Sequence, residues 1–166
     1  MGRYLPPFWS RGNPLDLVGT RDLDVPIVAM EELLKWDGID AVISLGIDGR
    51  HVLVQKLIES TRRADPDMSP AFLEQCESLN HEYERHYVRK IVELMETYEK
   101  PIIGVSLVNV EETVRSVDGK RYSGVFYQTP ESAVNVLARM VAYHDFIARC
   151  QGPEGSQEVE PSFTLF

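Results

Sequence analysis

Cysteine is almost missing from this chain: Cys76 and Cys150 are the only two, and they lie far apart. Their spacing excludes a disulfide framework and matches no zinc-ligand pattern, so free thiols in a reducing cytoplasm are expected. Positive charge is also scarce, with 17 basic residues against 26 acidic ones and a net charge of -9. The densest basic step, Arg62-Arg63, is too small to follow a phosphate backbone, which sets nucleic acid aside as a partner. No hydrophobic run approaches the ~20 residues needed to cross a bilayer. The opening MGRYLPPFWS lacks the apolar stretch of a signal peptide, and Pro6 and Pro7 stand where a myristoylation motif on Gly2 would need Ser or Thr. A soluble, cytoplasmic protein without a membrane partner is the expectation.

What the chain does have is the composition of an ordinary globular protein: 43% hydrophobic and 26% charged residues over 166 positions. One domain over residues 1–150 is the simplest reading. Residues 151–166, QGPEGSQEVEPSFTLF, are polar, contain Gly and Pro and show no period, and so read as a polar tail or linker.

Strand and helix signals alternate. In SRGNPLDLVGT, residues 10–20, the run Leu15 to Val18 reads as a short first strand that starts at Asn13-Pro14 and leaves at Gly19-Thr20. Asp16 inside it is either a partnered structural acid or a residue facing ligand. Asp24 to Trp36 carries apolar residues at helical spacing, with Asp24 as candidate N-cap and Pro26 in the first turn. The continuous apolar run Ala41 to Leu45 predicts a parallel strand covered on both faces. From Ser69 to Tyr98, apolar positions from Phe72, Cys76 and Leu79 through Tyr83, Tyr87, Ile91 and Met95 recur every three or four residues, which predicts one long amphipathic helix. Pro101 to Leu107 and Gly124 to Tyr127 read as further strands. Thr129-Pro130-Glu131 then caps a last helix running to about Arg149.

Such alternation specifies β-α-β units, right-handed crossovers and ligand loops at the carboxyl ends of the strands. The loops to watch are Gly19 to Asp22, Gly46 to Arg50, Val108 to Glu112 (with Asn109) and Gln128 to Glu131. Gly46-Ile47-Asp48-Gly49-Arg50 joins a buried strand directly to a helix start, where unpaired amides and the helix dipole favour an anion. It is neither a Walker loop nor a dinucleotide fingerprint, so a tight structural turn and an anion cradle both stand. His51 at the mouth of that helix reads as a solvated helix-start histidine. His81 and His86 are five residues apart, one too many for two metal ligands on a helix face, and no metal site is expected. Ser106 has no nucleophile elbow around it.

Asn13-Pro14-Leu15-Asp16-Leu17 with Gly19, the strand at 40–45, Lys100-Pro101-Ile102, and Thr129-Pro130-Glu131-Ser132-Ala133-Val134 leading to Ala142-Tyr143 occur in a recognisable order. Together, over about residues 10–145, they resemble the ADP-forming acyl-CoA (acetyl-CoA) synthetases, relatives of succinyl-CoA synthetase. The likeness falls on that family's third domain, similar to the carboxy-terminal domain of the succinyl-CoA synthetase β subunit. It implies a flavodoxin-like three-layer α/β/α fold with a mostly parallel sheet of four or five strands and one long inserted helix. That helix, at 69–98, departs from the family, whose corresponding connection is usually shorter.

The resemblance further implies an acid–thiol ligase that works through an acyl phosphate and a travelling phosphohistidine, with CoA, ADP or ATP and Mg in the parent enzyme. This chain alone would bind no cofactor and supply no catalytic residue. The CoA-binding, phosphohistidine and ATP-grasp domains would be its partners, in the same chain or another subunit, and a homo-oligomer is also allowed. Gly46, Asp48, Gly49, Arg50 and His51 would form the phosphate- and acyl-binding loop and helix start, with Asn13, Gly19, Thr20, Asn109, Thr129 and Glu131 on ligand-edge loops. Asp48 is awkward there, because a carboxylate repels phosphate unless Arg50 or a metal offsets it, or unless it caps the helix instead. The other expectation is a stand-alone flavodoxin-like binding or assembly module. Against it, the Thr-rich phosphate loop of an FMN flavodoxin is missing, and so is a receiver's strand-end Lys after Tyr127.

Overall fold

A computed structural model of the protein describes residues 2, 5–19, 22–106, 108 and 113–151. The described elements run α1 (Val25–Leu34), β1 (Val42–Leu45), α2 (Arg50–Ala64), α3 (Pro70–Tyr98), β2 (Ile102–Val105), β3 (Val114–Ser116), β4 (Ser123–Tyr127) and α4 (Pro130–Gln151). They form an α/β fold with a mostly parallel sheet in the order β1-β2-β4-β3. The chain divides into two compact units, Met1–Ala133 and Val134–Phe166.

In the first unit, β1 and β2 pair in parallel with Leu45 opposite Val105, and β2 and β4 pair in parallel with Val105 opposite Tyr127. Three carboxyl ends therefore share one edge of the sheet. β3 joins β4 antiparallel, with Arg115 opposite Gly124. Gly104 in β2 is required by its neighbour: a Cβ there would collide with the ring of Phe126, which is itself fully buried. Lys100, just before β2, donates to the carbonyls of Leu34 at 2.9 Å and Trp36 at 3.0 Å. A cation thus satisfies acceptors at the end of α1 and ties that helix to the start of the strand.

The long helix has the ends its sequence specifies. Ser69 is the N-cap and accepts from the Phe72 amide at 3.4 Å, Pro70 follows in the first turn, and Glu99 closes the helix in the left-handed region at φ 53°. Its C-terminal half is the heart of the core, where Tyr87, Ile91 and Val92 are at most 1% exposed and pack with Leu34, Val42, Ile102 and Phe126. The Tyr87 hydroxyl lies 2.6 Å from the Ser44 hydroxyl, near the carboxyl end of β1. Burial pushes the Tyr87 phenol well above its ordinary value, an effect the Ser44 hydrogen bond opposes.

One expectation is corrected. Leu15 to Val18 is not a strand; Asp16 makes one isolated antiparallel bridge with Ser10, and its Oδ1 accepts from the Val18 amide at 2.8 Å. That local bond turns the chain at Val18, whose φ is +48°, and so competes with extension. The long amphipathic helix is present as expected, and its apolar stripe is buried only in part, since Phe72 and Leu79 are 54% and 57% exposed. Tyr83 and Tyr87 belong to the core over the sheet, and the helix runs on from there toward β2, so it is the turns before Tyr83, residues 70–79, that leave the core. There they pair with α2 instead: Gln55 donates to Glu77 at 2.9 Å, and Ile58 and Leu73 are buried.

The second unit contains α4 beyond Ala133. Met140, Val141 and Tyr143 on this helix are exposed, as is Cys150. No helix among the described residues is long and apolar enough to cross a membrane.

Candidate functional site

The Gly46–His51 loop leaves β1 at the carboxyl edge and opens α2. Gly46 and Gly49 both have φ +82°, and Gly49 is the N-cap of α2. A Cβ on Gly49 would come within 2.7 Å of Val108 Cγ2 and 2.8 Å of Ser106 Oγ. Glycine is thus required twice, for the left-handed backbone and for the approach to the end of β2. Ser106 is buried; its amide donates to the Tyr127 carbonyl at 2.8 Å and its hydroxyl accepts from the Val108 amide at 3.4 Å. The strand-end serine is therefore a junction joining the ends of β2 and β4 beneath the loop.

Asp48, 2% exposed, neither caps the helix nor pairs with Arg50. Its Oδ1 accepts from Nη1 of Arg115 on β3, while its Oδ2 has no hydrogen-bond partner among the described residues. The Arg115 guanidinium lies over the Phe126 ring, 4.6 Å from the centroid. Arg50 points elsewhere, its guanidinium 5.7 Å from the centroid of the Tyr83 ring. Burial raises the pKa of the Tyr83 phenol, and the charge of Arg50 works against that rise.

The start of α2 already has an anion beside it. Glu84 of α3, 6% exposed, accepts from the His51 amide at 2.9 Å and contacts the ring Nδ1 at 2.7 Å. With the carboxylate ionised, Nδ1 is the donor. The His51 ring lies 5.3 Å from that of His81. First-turn amides of α2 on either side of His51, those of Arg50 and Val52, precede the helix's own acceptors and have no partner within its ladder. The edge can thus offer an incoming anion these amides and the Arg50 side chain, while Glu84 occupies the amide between them.

Thr129 lies two residues beyond the end of β4 and caps α4: the Ser132 amide donates to its Oγ1 at 3.2 Å, and Glu131 follows in the first turn. Asn13 and Gly19 lie in irregular chain before α1, the former in a cis peptide with Pro14 and the latter at φ +63°. Among the described residues, no hydrogen bond ties either to the Gly46–His51 loop. Thr20 and Asn109 lie outside the described residues. No cluster of three or more His, Cys, Asp or Glu side chains able to hold a metal occurs among the described residues.

Glu84 and Arg115 were not singled out by sequence reasoning. They act on residues 33 and 67 positions away, and a single sequence carries no local signal for such pairs.

Fold and site together define an α/β domain with a glycine-dependent loop and helix start at the carboxyl edge of a mostly parallel sheet. No protein-family model, curated protein or solved structure matches the chain.

Proposed function

We propose that this chain is the flavodoxin-like CoA-ligase domain of an NDP-forming acyl-CoA synthetase, and that it contributes the Gly46–His51 loop and the N-terminus of α2 to a phosphoryl- and acyl-transfer site. The setting of Gly49 supports this most. Its left-handed N-cap, with no room for a Cβ against Ser106 and Val108, puts the first turn of α2 at the edge where open parallel sheets receive ligands. A phosphoryl group arriving on a carrier histidine from another domain would meet the amides of Arg50 and Val52 and the positive end of the helix dipole. Arg50 would supply a mobile guanidinium, released from the Tyr83 ring. Asp48 is compatible with this role because Arg115 offsets its charge from behind.

In this role the chain is inert alone, since carrier histidine, CoA site and nucleotide site belong to partner domains. The test is single-turnover phosphotransfer in the assembled ligase, with Arg50→Ala slowing the step by about tenfold or more, the cost of one lost charge-assisted contact. Unchanged phosphotransfer, or sustained ATP-dependent CoA ligation by the chain alone, would refute the proposal.

One observation favours the stand-alone assembly module instead. Leu53 and Leu57 of α2 and Phe72 and Leu79 of α3 are all exposed on the hairpin that leaves the core. On that reading, Leu57→Ser with Leu79→Ser abolishes association with a partner while leaving the unfolding transition of the chain in place.

A further inference from the structure

A groove with a cavity volume of about 680 Å³ runs between α3 and β3, beside the start of α2. α3 contributes Arg85, Val88 and Arg89 to its wall, and β3 with the turn after it contributes Arg115, Ser116 and Asp118. Three guanidinium groups around one cavity run against the character of a chain with net charge -9. Two of them stand four residues apart on one helix, a like-charge spacing that weakens a helix and so calls for another role.

Arg115 is paired with Asp48, but among the described residues the neighbouring acids leave Arg85 and Arg89 unmatched. Glu84, also on the wall, has one oxygen on the His51 amide and the other on its ring. Asp48 holds a single nitrogen of Arg115, whose guanidinium carbon lies over the Phe126 ring, and this pair of contacts leaves its other N–H donors for a ligand. Glu93 feels the charge of Arg89 but is hydrogen-bonded to Lys90 at 2.8 Å. Among the described residues, neither Arg85 nor Arg89 has a carboxylate within ion-pair distance, and Asp118 is the remaining acid on the rim.

We propose that this groove binds a phosphorylated small molecule through Arg85, Arg89 and Arg115, with Val88 as the apolar floor under its uncharged part. Forks converging from two walls suit phosphate oxygens, which point in several directions, better than a planar carboxylate that one fork satisfies. The volume falls within the ~300–1,000 Å³ usual for small-molecule sites. The site uses neither the amides of α2 nor Arg50, so it stands or falls separately from the ligase reading.

The probe is inorganic pyrophosphate, titrated calorimetrically into the purified chain at low ionic strength. Saturable one-to-one binding that weakens as salt is added is expected. Arg85→Gln with Arg89→Gln should weaken it by at least about tenfold without moving the urea midpoint, whereas Arg62→Gln with Arg63→Gln, at the end of α2, should bind like the parent chain. Absence of saturable binding, equal weakening in both double variants, or tighter binding of succinate than of pyrophosphate would overturn the proposal. Because the assay needs no partner domain, it can fail while phosphotransfer succeeds, and the reverse.

Discussion

The carboxylate of Glu84, halfway along α3, meets both the amide of His51 at 2.9 Å and its ring nitrogen at 2.7 Å. A cap usually comes from the residue just before a helix; here Gly49 has no side chain to give, and α3 supplies the acceptor from 33 residues away. The same contact closes the base of the α2–α3 hairpin beside the loop that leaves β1. Glu84→Ala should therefore cost about 1–3 kcal/mol, the usual penalty for leaving partly buried donors unmet. Glu84→Gln keeps an acceptor for the amide and should cost less. Urea denaturation of the two variants separates the outcomes, and an indistinguishable midpoint for Glu84→Ala and the parent chain would remove the cap.

Asp48 and Arg115 form the second long-range pair, and they are unequally buried: the acid side chain is 2% exposed and the guanidinium 21%. Removing the arginine strands a charge in the interior, so Arg115→Met should destabilise the protein by about 3–5 kcal/mol. Asp48→Asn should be milder, because the more deeply buried member of the pair is then neutral. Adding Asp48→Asn to Arg115→Met should recover a large part of the loss, and a double-mutant cycle measured by denaturant unfolding gives the coupling directly. Simple additivity of the two changes would mean the pair contributes nothing as a pair.

Gly49→Ala tests the backbone of the loop. At φ +82° a side chain costs about 1–2 kcal/mol, and the 2.7 Å approach to Val108 adds about 1–3 kcal/mol of overpacking. A urea midpoint unchanged by Gly49→Ala would show that the loop has another conformation available. This sensitivity also decides which substitution tests function. A Gly49 variant alters the fold and any ligand contact together, whereas Arg50→Ala removes a half-buried side chain from a ring face and leaves the loop's conformation intact.

Much of this architecture was legible where local patterns decide it. The ends of α3 follow from Ser69, Pro70 and a 3.6-residue apolar rhythm, and β1 and β2 follow from unbroken apolar runs. The rest depends on groups that meet only after folding. Leu15 to Val18 has the composition of a strand, but the Asp16 side chain captures the Val18 amide two residues on and turns the chain. β3, Val114–Ser116, is three residues long with both ends exposed, too short to show alternation. The rhythm of α3 continues through Phe72 and Leu79 although the core has ended, because periodicity reports which residues share a face and not how far the opposing surface reaches. At the candidate site, the glycine positions were readable from the loop itself, while the partners of Asp48 and His51 were not: Arg115 and Glu84 are ordinary charged residues until the sheet and hairpin bring them inward.

Acid stability offers a last measurement, centred on Glu96. The amide of Arg121 donates to its carboxylate at 2.6 Å and Lys120 lies 3.1 Å away, and these contacts, the amide first, hold its pKa below the usual value of 4.5. Glu93 is lowered too, chiefly by its hydrogen bond from Lys90. A carboxyl group with a depressed folded pKa binds protons more readily when the chain is unfolded, so its stabilising contribution is complete above the unfolded value and disappears as pH falls through the folded one. Stability should then decline on acidification below about pH 4.5. Glu96→Gln removes one titrating group without removing the acceptor for the Arg121 amide, so its stability should change less steeply over the same interval. Urea midpoints collected from neutral pH down through that window test this, and a Glu96→Gln profile parallel to that of the parent chain would place the acid sensitivity in other carboxylates.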